Sequence, residues 1–197
     1  WSKDFIESIE IIASEDIDIE GRASFYEQTG ALRDIVQSHL LQLLSLVLMN
    51  LPSEYDFEEV PEFRMKALQN IYIPEEYLKG NKIIRGQYKG YKDEVNNQNS
   101  NIETFASLSF ASKDPKWEGV SLTLTTGKAL KKKITEIKIK YKKDKHNEPN
   151  ELILRLQPHG GISFNMWTKQ PGYTHDVSSN NLGFRFEERY KVLPEAY

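Results

Sequence analysis

The chain has 197 residues, of which 39% are hydrophobic, 28% charged and 11% aromatic, and its formal net charge is −3. This length and composition predict one globular domain with its own core, and they exclude a disordered chain. So small a net charge gives no global field that attracts nucleic acid. The absence of cysteine excludes disulfides and thiolate metal sites, and it fits a reducing compartment. The longest apolar run, Leu40 to Met49, is far shorter than the roughly 20 residues that cross a bilayer.

The first half of the chain predicts one strand followed by helices. Phe5 to Ala13 is short and rich in isoleucine, which is typical of a strand with both faces covered. Arg22 to Met49 predicts a helical region that breaks near Gly30 and, past Leu40, is apolar nearly all round, as in a buried helix. Pro61 to Ile71 predicts a short helix. Its inward-facing residues are expected to be Met65, Leu68 and Ile71.

From Thr104 onward the hydrophobic period falls from about 3.6 residues to about 2, in six short segments. Their alternating apolar positions are Ala106, Leu108, Phe110; Val120, Leu122, Leu124; Ile137, Ile139, Tyr141; Leu152, Leu154, Leu156; Ile162, Phe164, Met166; and Leu182, Phe184, Phe186. Six strands without intervening helices predict an antiparallel sheet with one face more solvated. Helices first and strands later predict the α+β class. Loops are predicted at Val95 to Asn101 and at Tyr173 to Asn181.

His39 is the candidate catalytic residue. An imidazole can change its charge near neutral pH, and with carboxylates such as Glu15 available it suits general base catalysis. A histidine in an otherwise apolar helix is more often a core residue bonded to the backbone, so spacing alone favours that interpretation and leaves catalysis as the alternative. On an ideal α-helix Asp34 and His39 lie about 140° apart, so they would flank a ligand only if it lay across the helix face.

Six ordered blocks of sequence carry a family resemblance. The longest runs from Glu15 through the Glu20-Gly21-Arg22 triplet and the Gly30-Ala-Leu-Arg-Asp34 segment to Gln42. The other blocks are Arg85-Gly-Gln-Tyr88, Gly90-Tyr-Lys-Asp-Glu94, Thr126-Gly-Lys-Ala-Leu130 with Lys133 behind it, Gln157-Pro158 and Pro194-Glu-Ala-Tyr197. In this order they resemble glucose-6-phosphate dehydrogenase over nearly the whole chain. One departure is Ser38, where the family has the larger asparagine.

The resemblance implies both a fold and an activity. The fold is α+β, a large mainly antiparallel β-sheet with helices packed on one face, as a single substrate-binding and dimerisation domain over residues 1–197. The activity is the oxidation of glucose 6-phosphate at C1 to 6-phosphogluconolactone with NADP as hydride acceptor, in the pentose phosphate pathway and the cytoplasm. By position in the motifs, His39 is the base. The implied substrate-binding residues are Glu15, Asp34, Lys128, Lys133 and Gln157.

The resemblance also implies partners and parts supplied from outside this sequence. No two of the 11 glycines fit G-x-G-x-x-G. In the family an N-terminal dinucleotide-binding domain binds most of the NADP, so residues 1–197 alone are expected to be inactive. Thr125 and Ile134 stand where members with a second, structural NADP carry cations, so no such second site is expected. A homodimer is expected through the sheet, on the face with Ser121, Thr123, Ile153 and Trp167.

A rival interpretation makes the chain a non-catalytic module. A row of lysines could bind an anion or a partner protein, although such a row is more often a solvated strand face. Its members are Lys138, Lys140, Lys142, Lys143 and Lys145. His159 has no role in the family, and we expect it at the surface.

Overall fold

Nine strands and six α-helices are present in the computed structural model, which describes residues 1–51, 56–143, 148–173 and 175–189. The strands are β1 (Ile6–Ser14), β2 (Ile71–Tyr72), β3 (Ile83–Gly86), β4 (Phe105–Ser112), β5 (Ser121–Gly127), β6 (Ile134–Tyr141), β7 (Glu151–Gln157), β8 (Gly161–Lys169) and β9 (Val177–Arg185). The helices are α1 (Ala23–Ala31), α2 (Leu41–Leu48), α3 (Val60–Gln69), α4 (Glu75–Lys79), α5 (Tyr91–Glu94) and α6 (Phe186–Arg189). A π-helical segment, Leu32–Leu40, joins α1 to α2, and a 3₁₀ turn, Phe57–Glu59, precedes α3. Among the described helices, none is long and apolar enough to span a membrane.

All nine strands belong to one sheet, in the order β2-β4-β5-β1-β6-β7-β8-β9, with β3 also paired to β4. The six predicted strands are confirmed, except that Phe186, predicted in the last of them, begins α6. The mainly antiparallel α+β fold is also confirmed. The strand order contains one feature that the sequence did not predict. β1 is parallel to β5 and antiparallel to β6, so it separates these two strands. Its Ile9 lies between Leu122 and Ile139 in register, which explains why the isoleucine-rich strand is in the core.

The helices cover one face of the sheet. Val36, Leu40, Leu44 and Leu48 recur every four residues and are all buried against the apolar side of the central strands. Each such side chain contributes on the order of 1.5–3 kcal/mol when fully buried. The helix is nevertheless not buried all round, because Leu46 on its outer side is 45% exposed.

The orientation predicted for the helix after Pro61 is partly wrong. Met65 is 52% exposed, whereas Ala67 is buried and Leu68 is half-buried. The helix has only a narrow contact with the core, so a small alanine occupies the closest approach. Ile71 lies beyond the end of α3 and starts β2.

The opposite face of the sheet carries polar residues and is more solvated, as predicted. We call it the open face and define it by the side chains that alternate with the core positions. They include Glu10, Ser107, Ser109, Thr123, Thr125, Glu136, Lys138, Ile153, Arg155 and Trp167. Hydroxyls pair across β4 and β5, with 2.9 Å between Ser107 Oγ and Thr125 Oγ1.

Charges on the open face alternate in sign. Glu136 lies 2.9 Å from Arg155 and 3.1 Å from Lys138, and Glu10 stands opposite Lys138 in register. Burial alone would raise the pKa of the Glu136 carboxyl, but hydrogen bonds from Arg155 and Lys138 outweigh it and hold that pKa below its usual range. The lysine row is therefore interrupted by carboxylates. Its last member, Lys145, and the block Pro194 to Tyr197 lie outside the described residues.

One predicted loop is confirmed and the other is partly wrong. Val95 to Asn101 has no helix or strand. Val177 to Asn181, by contrast, belongs to β9, where Asn181 lies opposite Asn165 and its side-chain amide donates to the Asn165 side-chain oxygen. Asparagine is disfavoured in strands by propensity, but the hydrogen-bonded ladder with β8 overrides that weak preference.

Candidate functional site

Several strand ends converge at one edge of the sheet. Because β1 and β5 are parallel, their carboxyl ends lie side by side at Ser14 and Gly127. β6 begins there and β7 ends there, with Thr135 opposite Gln157. A cavity of about 520 Å³ opens between this edge and the helix that crosses it, which is a usual size for a small-molecule site. It is lined by Ala13, Ser14, Glu15, Ile35, Ser38, His39, Leu40, Gln42, Leu43, Thr126, Lys133, Thr135, Leu156 and Gln157.

His39 is exposed and lines this cavity. The alternative interpretation of His39 as a core histidine is therefore wrong. Its neighbours Val36 and Leu40 are the residues that anchor the helix to the core. The imidazole therefore lines the cavity from a segment that is firmly packed on the core.

The helix around His39 is π-helical, with hydrogen bonds that reach five residues back. At its end, the Leu41 N–H donates to the Val36 carbonyl. In such a segment residues five apart stack one turn above the other, so Asp34 and His39 share one side of the helix. The separation of about 140° expected for an ideal α-helix is thus corrected by the structure. Asp34 is half-buried and is not among the residues that line the cavity; its carbonyl accepts a hydrogen bond from Ser38 Oγ, which does line it.

Glu15 is held at the cavity by backbone bonds to the β5–β6 loop. Its N–H donates to the Gly127 carbonyl at 2.9 Å, and its carbonyl accepts from the Leu130 N–H at 2.9 Å. The Glu15 carboxylate is paired with the ammonium of Lys128. Lys128 itself is only 4% exposed and lies behind Glu15, outside the cavity lining.

A tyrosine lies against the buried lysine. The Lys128 Nζ is 5.8 Å from the centre of the Tyr26 ring, within the range of a cation–π contact. Burial raises the pKa of the Tyr26 phenol above its usual range, and the Asp34 and Glu15 carboxylates raise it further. Lys128 is thus paired with the Glu15 carboxylate and lies against the neutral Tyr26 ring.

The two remaining predicted residues, Lys133 and Gln157, both line the cavity. Lys133 is exposed and brings a cation to its rim. The loop that carries it differs in one respect from expectation. The left-handed residue is Ala129, with φ of 54°, and Gly127 has an ordinary φ. Glycine is needed at 127 for another reason, since a Cβ there would lie 2.8 Å from the Phe105 ring.

Several polar residues that line the cavity were not predicted from the sequence. Ser14, Thr126 and Thr135 stand at strand ends, and Gln42 lies three residues after His39 on the same helix. Gln42 accepts a hydrogen bond from Arg64 of α3, whose Nε also donates to Ser45 Oγ at 3.0 Å. The presence of Gln42 at the end of the longest sequence block is the signal that could have identified it.

The described residues contain neither a metal site nor a dinucleotide-binding loop. Within the described ranges, no group of three or more metal-ligating side chains is close enough to hold an ion. No strand–glycine loop–helix unit for a dinucleotide occurs in the described elements either. His159 is exposed, as predicted, and lies 2.8 Å from Glu187.

The whole chain, residues 1–197, matches the family model described as glucose-6-phosphate dehydrogenase, C-terminal domain. The chain belongs to this family. It is 36% identical to the glucose-6-phosphate 1-dehydrogenase of Borreliella burgdorferi and 35% identical to a cytoplasmic glucose-6-phosphate 1-dehydrogenase of Arabidopsis thaliana. Both alignments cover 100% of this chain, which spans only 45% and 39% of those two relatives.

Solved structures of the same family have the same fold. A glucose-6-phosphate dehydrogenase in complex with its substrate glucose 6-phosphate superposes with a TM-score of 0.88 at 30% identity. The superposition covers 97% of this chain and 42% of the chain in that structure. The glucose-6-phosphate 1-dehydrogenase of Mycobacterium avium superposes with a TM-score of 0.82 at 29% identity, over 94% of this chain and 42% of its own. The resemblance found in the sequence motifs is therefore confirmed by the family match and the fold.

Proposed function

We propose that the protein containing this chain oxidises glucose 6-phosphate at C1 to 6-phosphogluconolactone with NADP as hydride acceptor. The observation that carries this proposal is that His39, Glu15, Lys133 and Gln157 line one cavity although they are far apart in sequence. The family membership supports the same reaction, as does the bound glucose 6-phosphate in the related structure.

In this proposal His39 is the general base. Oxidation at C1 breaks the C1–H and O1–H bonds and forms a C1=O bond. The hydroxyl has a high pKa, so its proton must be accepted by a base as the hydride leaves, and positioned bases typically contribute about 10²–10⁴-fold. His39 accepts that proton, and NADP, bound mainly by another part of the protein, supplies the hydride acceptor.

The other residues of the site bind and orient the sugar. Ionised carboxylates accept hydrogen bonds from hydroxyls, which suits Glu15 and Asp34 to fixing the sugar ring above His39. Gln157 adds an amide that both donates and accepts. Lys133 at the rim attracts the anionic substrate as a point charge. Lys128, buried behind Glu15, supports substrate binding by holding the Glu15 carboxylate in place.

The proposal predicts that residues 1–197 alone have no dehydrogenase activity, whereas the full-length protein has it. The isolated chain contains the base but no glycine-rich dinucleotide loop. The measurement is NADPH formation from glucose 6-phosphate by each purified protein, followed by absorbance. Turnover by residues 1–197 alone would contradict the assignment of NADP to another domain. No turnover by the full-length protein would contradict the proposed activity.

We also propose that the protein forms a homodimer through the open face. The open face carries no described helix, and its alternating charges allow two copies to meet without like charges opposing each other. Trp167 and Ile153 are half-buried there and provide apolar anchors. An isologous dimer through one self-complementary surface is the commonest oligomer.

Replacing Trp167 by glutamate is expected to weaken this dimer by at least about tenfold in Kd, since a central tryptophan at an interface typically contributes about 2 kcal/mol or more. Sedimentation velocity of the full-length protein at micromolar concentrations measures the change. The matched control is Leu78→Glu on α4, a residue that is 65% exposed and away from the sheet face. A monomeric wild type, or a Trp167→Glu dimer as tight as wild type, would contradict the proposed interface.

We propose the cytoplasm as its location. Two plant relatives, from Arabidopsis thaliana and Solanum tuberosum, are named as cytoplasmic, and the chain contains no cysteine.

The rival function, an anion-binding module on the lysine row, is less favoured because Lys138 is neutralised by Glu136 at 3.1 Å.

A further inference from the structure

We propose that Glu103 is a positioning residue for His39, an inference that rests on the proposed function. Glu103 lies in the segment between α5 and β4, outside the cavity lining. It is 7% exposed, an unusual environment for a carboxylate. A buried carboxylate is costly unless it is hydrogen-bonded, so its partners indicate what it does.

Those partners are the first free N–H groups of the helix that carries His39. Glu103 Oε1 accepts from the Leu32 N–H at 3.0 Å, and the Glu103 carbonyl accepts from the Ala31 N–H at 2.9 Å. The first N–H groups of a helix have no partner within the helix, and an anion near them is favoured by the helix dipole. Glu103 therefore caps the π-helical segment from a distant part of the chain.

Gly30 makes this cap possible. Its φ of 63° and ψ of 178° are not helical, so the helix is interrupted at Gly30. A new helical segment begins after this break and continues through Leu32–Leu40. A Cβ on Gly30 would lie 2.4 Å from Glu103 Oε1, so only glycine leaves room for the carboxylate. The other oxygen of Glu103 is 3.8 Å from a guanidinium nitrogen of Arg85. The Arg85 side chain is 59% exposed, so this ion pair is weak.

The segment that contains Glu103 also contacts the loop that carries Lys128, on the Glu15 side of the site. The Thr104 carbonyl, next to Glu103, accepts from the Lys128 N–H at 3.0 Å. Lys128 in turn holds Glu15. Residues 103 and 104 thus connect the start of the His39 helix to the loop that positions the Glu15 carboxylate. A shift of the helix start would move the imidazole relative to the sugar-binding carboxylates, and misplacement by about 1 Å can cost on the order of 10²-fold in rate.

The test compares Glu103→Ala with Glu103→Gln in the full-length protein. Alanine removes the acceptor, whereas glutamine keeps an oxygen that can accept from the Leu32 N–H. We expect Glu103→Ala to lower kcat at least about tenfold with KM within about threefold, and Glu103→Gln to restore kcat to within about threefold of wild type. Glu103→Asp retains the charge but withdraws it by one methylene, so kcat should fall at least about fivefold, which also tests the proposal if the alanine variant does not fold.

The control for a general loss of stability is Trp117→Phe. It removes the 2.9 Å bond from the buried Trp117 indole to the Leu48 carbonyl, at the far end of the same helical region. We expect it to lower Tm while leaving kcat within about twofold.

Different outcomes separate this inference from the proposed function. If Glu103→Ala keeps wild-type kcat while His39→Asn is impaired, the positioning role is overturned and the activity stands. If Glu103→Gln is as slow as Glu103→Ala, acceptance of the Leu32 hydrogen bond is not the cause, which also overturns the role. If the wild type does not oxidise glucose 6-phosphate, the proposed function itself fails.

Discussion

His39→Asn in the full-length protein is expected to lower kcat by at least ~10²-fold while KM changes far less. Asparagine is close to histidine in size but cannot accept a proton at neutral pH. A base acts on the transition state more than on the bound substrate, so its loss appears mainly in kcat. The exposed position of His39 makes a large loss of stability unexpected. Steady-state kinetics with glucose 6-phosphate and NADP measure both constants.

The matched control for this variant is His159→Asn. His159 is also exposed, but it lies outside the cavity that His39 lines and is paired with Glu187. Its replacement should leave kcat and KM within about twofold of wild type, as for most surface substitutions. A His39→Asn enzyme with kcat near that of wild type would show that His39 is not the base.

Gly30→Ala is expected to lower both stability and kcat. At φ of 63° and ψ of 178° Gly30 occupies a region that side chains rarely adopt, which costs about 1–3 kcal/mol. The new methyl group would also displace the Glu103 carboxylate, 2.4 Å away. In a domain of this size we expect Tm to fall by at least about 3 °C. Because the helix loses its cap, kcat should fall with it.

Gly86→Ala provides the comparison for Gly30→Ala. Gly86 has no positive φ, and a Cβ there would meet no atom within 4 Å. The Tm of the Gly86→Ala protein should stay within about 2 °C of that of wild type. Thermal unfolding and steady-state kinetics of both variants decide the point. A Gly30→Ala protein with the Tm and kcat of Gly86→Ala would show that the backbone at residue 30 tolerates a side chain.

Much of the fold could be predicted from local patterns in the sequence. The alternation that marks β4 to β9 is a property of neighbouring residues, and so is the helical period of Val36, Leu40 and Leu44. Gly30 predicted the helix break because glycine alone adopts such angles freely. The motif blocks predicted Glu15, His39, Lys133 and Gln157 of the cavity, of which Glu15 and Gln157 are the most distant in sequence.

The remaining features depend on contacts between distant segments. The position of β1 between β5 and β6 is determined by pairing with residues far along the chain. The π-helical segment depends on packing and on the cap from Glu103, which no pattern near residue 32 indicates. Lys128 was expected as a substrate-binding residue, and its burial against Glu15 and Tyr26 could not be predicted because those residues belong to a different part of the sequence.

The central position of β1 has a consequence for biosynthesis. This strand is synthesised before its two neighbours, β5 and β6, which emerge from the ribosome only after Ser121 to Tyr141 has been translated. At a translation rate of roughly 10 residues per second, on the order of 10 s passes between the synthesis of β1 and that of β5 and β6. During that interval the nascent chain displays an apolar strand with both edges unpaired, a template for aggregation. A chaperone that binds short apolar segments would be most needed before translation reaches β6.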